Sequence, residues 1–263
     1  MKFKLDPIKQ FALFLSVMTG LAIAFNPTSQ VLLHLVATLG FGLVLYWFYS
    51  MFSSKHKLIW NTIITSLIIF LVLDYGSELV DVVYPLVATF VAITLKFFWG
   101  WKGSPVINPS VAGMLIMAGI VALLPTFENA FISWWGASFQ GWVSLSVVLA
   151  WIVLGLRKWR KWPLVASFLA AHAVILVLRG METETIRFIF ADSTIYFLAA
   201  AMLIDPKTSP INNRQQMIYG LLAALMLNSL MHANAPHAEL FAIATANIGY
   251  MTMRPVKKKK KKT

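Results

Sequence analysis

The chain has no cysteine, and among its 263 residues it has only ten aspartates and glutamates against 22 lysines and arginines. Without thiols there can be no disulfide, no thiolate metal site and no protein-held iron–sulfur cluster. Any redox chemistry must therefore come from an organic cofactor or a haem. Charged residues of both signs make up only 12% of the chain, too few for the surface of an ordinary soluble globule. Long polar connections are missing as well, so no loop can build a soluble domain with a core of its own.

What the chain has instead is hydrocarbon: 59% of its residues are hydrophobic and 14% are aromatic. This is the composition of an integral membrane protein. A net charge of +12 would point to nucleic acid in a soluble protein, but six of the lysines form one terminal run, 257–262. Most of the others sit between apolar segments. Topology accounts for the charge better than a nucleic-acid partner does.

Ten apolar runs follow one another, at 11–25, 31–52, 58–73, 84–99, 109–124, 142–156, 164–178, 188–203, 217–230 and 238–253. They predict an all-α protein with ten membrane spans. Several runs fall short of the roughly 20 residues needed to cross a hydrocarbon core. The first, preceded by Lys2, Lys4 and Lys9, also has the form of a signal peptide and is read here as a retained helix. One membrane domain, 1–256, and a lysine-rich tail, 257–263, make up the expected organisation.

Charge tests the span count independently. With both termini placed inside, the inner loops collect Lys55, Lys57, Lys96, Lys102, the cluster Arg157, Lys158, Arg160 and Lys161, then Lys207, Arg214, Arg254 and the tail. Only Arg179 and Arg187 fall outside, whereas Asp74, Glu78, Asp81, Glu128, Glu182, Glu184 and Glu239 all do. The asymmetry follows the positive-inside rule, and predicts a multi-pass cell-membrane protein with cytoplasmic ends. Trp142, Trp151, Trp159 and Trp162 read as an interfacial belt on one side and Trp134 and Trp135 on the other, with stacking on a cofactor as the alternative for that pair. The tail reads as a segment drawn to anionic membrane lipid.

Two breaks interrupt the hydrocarbon. The first runs from Gly100 through Gly103-Ser104-Pro105 to Asn108-Pro109 and Gly113. Asn before Pro is a helix-start signature, since Asn can cap an orphan N–H and Pro at the first helical position needs no partner. A helix is therefore predicted from Pro109. Its N-terminus is a plausible seat for an anionic or carbonyl-bearing group, and a simple capped loop is the plainer reading. The second break, Asp205-Pro206-Lys207-Thr208-Ser209-Pro210, repeats that logic and predicts a second helix start at Asp205. Helices that break at matching places often mark a binding site in transporter folds.

Gly100-x-x-Gly103 with Asn108-Pro109-x-x-x-Gly113, followed by Asp205-Pro206-x-Thr208-Ser209-Pro210 and Tyr219-Gly220, resembles the membrane flavoproteins of redox-driven ion pumps. These are the RnfD component of the Rnf ferredoxin:NAD oxidoreductase and the NqrB component of the sodium-pumping NADH:quinone reductase. The likeness is strongest over 86–124 and 196–250. It implies a urea-transporter-like five-plus-five architecture and a non-covalent riboflavin at the cytoplasmic breaks, near Gly103, Ser104, Asn108, Pro109, Asp205, Thr208 and Ser209. It implies a second flavin as well, FMN esterified to a hydroxyl of an outer Asp-x-x-Ser-Gly-Ala-Thr loop. Here that loop reads Ile132-Ser133-Trp134-Trp135-Gly136-Ala137-Ser138. Ser138 keeps a hydroxyl, while Ile132 and Trp135 replace two of the pattern's polar residues.

The resemblance implies partners too: further membrane, flavoprotein and iron–sulfur subunits of an electron-transport complex, with coupling to sodium or proton movement. A channel for a small solute on the same scaffold and a cofactor-free assembly component are the other readings. Gly136 to Gly141 lacks the spacing of a hydrolase nucleophile elbow. His34 and His172 lie within spans and read as interhelical contacts rather than haem ligands. Asp192 is the one carboxylate near the interior of a span, and an ion or proton role is the functional reading for it.

Overall fold

In a computed structural model the chain is described over residues 6–52, 58–76, 78–99, 105–123 and 132–253. Gly103, Ser104 and the lysine tail lie outside the described residues. Each apolar run falls on a helix or a bent pair of helices: α1 (Pro7–Phe25), α2 (Ser29–Phe52), α3 (Ile59–Val72), α4 (Leu79–Phe98), α5 (Pro109–Leu123), α6 (Gly141–Trp159), α7 (Trp162–Leu178), α8 (Thr183–Ala191), α9 (Ser193–Met202), α10 (Asn213–His232) and α11 (Ala238–Met253). No strand longer than the single bridge between Leu73 and Ile132 forms among the described residues.

The helix starts follow local chemistry. Asp6 and Thr28 cap α1 and α2 by accepting from Ile8 N (3.2 Å) and Val31 N (3.3 Å), and α5 begins at Pro109 as the Asn-Pro pair predicts. Asp192 is a cap as well. Its carboxylate accepts from the amide and the hydroxyl of Thr194 at 2.9 and 3.0 Å, at a bend of 58° between α8 and α9.

Four helices, α1, α2, α4 and α6, are long and apolar enough to cross a membrane, and α8 with α9 would make a fifth if the bent pair is one span. Helices α3, α5 and α7 are apolar but shorter. The reason is visible in α3, whose 14 residues reach only about 21 Å at the α-helical rise. Residues 65–73 are all buried, and so are 197–204 along and beyond α9. A helix that is apolar all round belongs inside the bundle, which is where these stretches lie.

The same pairings occur in both halves of the chain. Helix α1 packs on α3, α2 on α4, and α4 on α5; correspondingly α6 packs on α9, α7 on α10, and α10 on α11. Two glycines permit the closest approaches. A Cβ at Gly113 would lie 2.3 Å from the Ala88 carbonyl oxygen, and one at Gly220 would lie 2.6 Å from that of Leu164. Backbone cannot move aside as a side chain can, so overpacking here costs about 1–3 kcal/mol or more. Gly113→Val is therefore expected to lower the thermal midpoint of the purified protein, whereas Gly119→Ala, with open space around it, should leave the midpoint unchanged or raise it.

Candidate functional site

The two sequence breaks meet at the end of the bundle that carries Lys158, Arg160 and Lys207. Asn108 is buried and fully engaged. Its amide N donates to Asn247 Oδ1 at 2.7 Å, its Oδ1 accepts from Ser110 N at 3.0 Å, and its Nδ2 reaches the Met202 carbonyl at 3.4 Å. Asn247, from α11, donates through Nδ2 to the Thr208 carbonyl at 3.4 Å and to the Tyr219 hydroxyl. One amide side chain thus joins the first break to the second. In the sequence Asn247 is only an isolated amide in an apolar run.

The second break differs from its expected form, because no helix starts at Asp205. Its carbonyl accepts from Thr208 N (3.1 Å), Ser209 N (2.9 Å) and Ser209 Oγ (2.7 Å), and its Oδ1 accepts from Lys207 N (3.0 Å). These bonds close a turn. Pro210 supplies no N–H and drives Ser209 away from the helical region, so the helix waits until Asn213, with Asn212 Oδ1 accepting from Arg214 N at 2.9 Å.

Two lysines that the motifs do not single out flank this turn, Lys161 buried and Lys96 half-buried. Lys161 donates through Nζ to Ser209 Oγ (2.8 Å) and to the Pro210 carbonyl (2.5 Å). Lys96 donates to the Asn61 carbonyl and the Thr65 hydroxyl. Their signal in the sequence is only a basic residue close to an apolar run, which charge topology absorbs without a further role.

A cavity opens between these groups, lined among others by Phe11, Lys96, Asn108, Ser110, Asp205 and Lys207. Its free volume is about 30 Å³, room for one or two waters and far too little for an isoalloxazine. A larger cleft of about 750 Å³ adjoins it, shares Ile8, Trp159 and Pro206, and continues along Lys158, Arg160, Lys161 and Asn212. Two polar groups beside this region are buried without a hydrogen-bond partner: the Trp159 indole N–H and the Thr208 hydroxyl. Trp159 also packs edge-on against Phe11, with ring centroids 5.5 Å apart.

Ser138 sits at the opposite end of the bundle, half-buried, with its hydroxyl donating to the Trp134 carbonyl at 3.4 Å. Its loop is stapled to the end of α3. Gly136 N donates to Leu71 O (3.0 Å), Ser133 N and Trp134 N to Val72 O (3.1 and 3.0 Å), and the Trp135 indole to Phe70 O (2.9 Å) and Leu73 O (3.0 Å). Trp135 therefore works as a cap for helix carbonyls. Trp134 is buried beside it.

His34 and His172 are held apart in separate contacts. The former meets the Phe70 carbonyl at 3.2 Å, and the latter accepts from Asn228 Nδ2 at 2.8 Å. That amide also donates to Ala224 O at 2.8 Å, which makes the facing His172 Nδ1 the unprotonated nitrogen.

Comparison with protein families decides the kinship: the model of the NQR2, RnfD, RnfE family matches residues 118–261, more than half of the chain. The chain belongs to the NQR2, RnfD, RnfE family. No curated protein matches it. The family match takes in Trp159, Lys161, the whole Asp205 turn and Asn247, whereas Lys96 and Asn108 precede it. The resemblance over 196–250 therefore lies inside the match, and that over 86–124 lies mostly outside.

Asn247→Leu is expected to be structural in its effect, because it strips the Asn108 amide and the Thr208 carbonyl of their partners at about 1–3 kcal/mol per orphaned group. A fall of the thermal midpoint checks this. Lys161 gives a pH signature. Burial lowers its ammonium from 10.5 to about 8, with the nearby Asp205 carboxylate opposing the shift. Between those values the unfolded chain holds a proton that the folded chain has lost, so this group makes stability rise with pH from about 8 to 10.5. Unfolding in detergent across that range should show this rise in the wild type, and Lys161→Met should remove it.

Proposed function

We propose that this chain is a membrane-embedded electron-transfer component of an Rnf/Nqr-type complex, with a flavin, riboflavin or FMN, held without a covalent bond at the basic end of the bundle. Family membership supports the complex. The observation that carries the flavin is the cleft of about 750 Å³ beside Trp159, within the range of about 300–1,000 Å³ usual for small-molecule sites. The Trp159 ring lines it, and the Trp159 indole N–H and the Thr208 hydroxyl are unused polar groups close by. The reading moves the ring system away from Asn108, whose polar atoms are all engaged and whose cavity is water-sized.

A bound flavin supplies one- or two-electron transfer. The protein's own residues bind and tune. The Trp159 ring lines the cleft, Lys161 ties down the Ser209-Pro210 segment beside it, and Lys96 donates to the Asn61 carbonyl and the Thr65 hydroxyl at the inner end. Ser138, remote from this cleft, is the candidate attachment point for a separate FMN phosphate.

The topological part of the proposal is ten crossings in a five-plus-five arrangement, in the cell membrane with both termini cytoplasmic. It is supported by the recurrence of the same helix pairings in the two halves and by the placement of basic residues. Coupling to sodium or proton movement, and association with other membrane, flavoprotein and iron–sulfur subunits, belong to the same reading.

The test is the visible absorbance of the detergent-purified chain, expressed with its neighbouring subunits, before and after acid denaturation. Flavin released by acid is the expected result, and Trp159→Ala should lower the amount. Colour that stays with the protein would assign Ser138 instead. A colourless protein would reject the flavin and favour a cofactor-free assembly component or a solute channel.

A further inference from the structure

The cleft at the basic end is unbalanced in charge. Lys158, Arg160 and Lys161 line it, and Asp6 is its single carboxylate among the described residues. Asp6 is already committed, with Oδ1 accepting from the Ile8 amide of α1. Lys158 and Arg160 are exposed, and among the described residues neither has a carboxylate within ion-pair distance.

The backbone adds to the same field. Pro7 and Ile8 of α1, Asn213 of α10, and Lys161 as the residue capping α7 all line the cleft. Three helix N-termini therefore converge on it, each contributing partial positive charge. The turn that carries the cations is tied to the facing wall of the cleft. Arg160 is left-handed at φ 53°, and Gln216 Nε2 ties its carbonyl (3.1 Å) to that of Ile211 (2.9 Å) on the facing wall.

We propose that this cleft binds a phosphate ester, seated between the Lys158 and Arg160 side chains. A tetrahedral oxyanion offers acceptors in several directions at once, and the N-terminal ends of three helices add a positive field around it. The planar Arg fork matches two of its oxygens. Two sources share this chemistry: the phosphomonoester of FMN and the headgroup of an anionic phospholipid. The FMN arm rests on the flavin reading above; the lipid arm does not.

The full chain, purified in detergent and delipidated, is titrated with FMN and with riboflavin. Its thermal midpoint is then compared in mixed micelles containing phosphatidylglycerol or phosphatidylcholine. FMN binding about ten-fold tighter than riboflavin, a difference of about one charge-assisted contact, and lost in K158Q/R160Q, assigns the phosphomonoester. A midpoint raised by phosphatidylglycerol over phosphatidylcholine, and levelled in the same variant, assigns the lipid. Both residues are exposed, so the variant should fold, and its unliganded thermal midpoint checks this. Equal affinity for the two flavins together with no lipid preference overturns the phosphate site and leaves the flavin reading standing. A preference that survives K158Q/R160Q overturns it too, since the lysine tail or another surface must then be responsible. Failure of both flavins to bind, with a lipid preference that depends on the two residues, rejects the flavin and keeps the phosphate site.

Discussion

The bundle is organised by the carbonyl ends of two short, enclosed helices. Helix α3 and helix α9 both stop inside the protein, and the chain beyond each stays buried through Leu73 and Ile204. In hydrocarbon no water reaches such ends, so every freed carbonyl must find a donor within the protein. At the end of α3 the donors are the amides of the 133–136 loop and the indole of Trp135. At α9 they are the indole of Trp151, 2.8 Å from Ala200 O, and the side chain of Asn108. A π turn at Leu198–Met202 closes with Leu203 N donating to Leu198 O at 3.0 Å.

The candidate site follows from the second of these endings. Because α9 stops early and Pro210 forbids a new helix, the segment from Asp205 to Asn212 runs as turns through the basic end of the bundle. Its polar backbone draws in Lys161, Asn247 and Ser209, and the space beside it becomes the cleft under Trp159. Trp151 and Trp159 lie in one aromatic cluster with Phe11 and Phe14, where Phe14 stacks on Trp151 at 4.9 Å. Residues with the composition of an interfacial belt thus serve partly as interior structure, one filling a carbonyl's need and the other lining the cleft.

Much of the fold was legible in the chain itself. The apolar runs located the helices because hydrocarbon length is a local property. Asn108-Pro109 located the start of α5 because a cap and a proline act on their own backbone. The run lengths alone did not separate enclosed helices from lipid-facing ones: α3 is a central helix, and only its neighbours reveal that. Asp205-Pro206 carried the same dipeptide logic as Asn108-Pro109, yet the proline four residues further on overrode it.

The sequence by itself determined the class of the protein, the order of its helices and the two places where the chain had to break, since composition, periodicity and proline act through neighbours along the chain. Tertiary structure alone decided which polar groups meet. Asn108 reaches Asn247 across 139 positions, and Lys161 reaches Ser209 across 48. Such contacts depend on which helices pack side by side, so a hydrogen-bonding side chain has no identifiable partner until the bundle has formed.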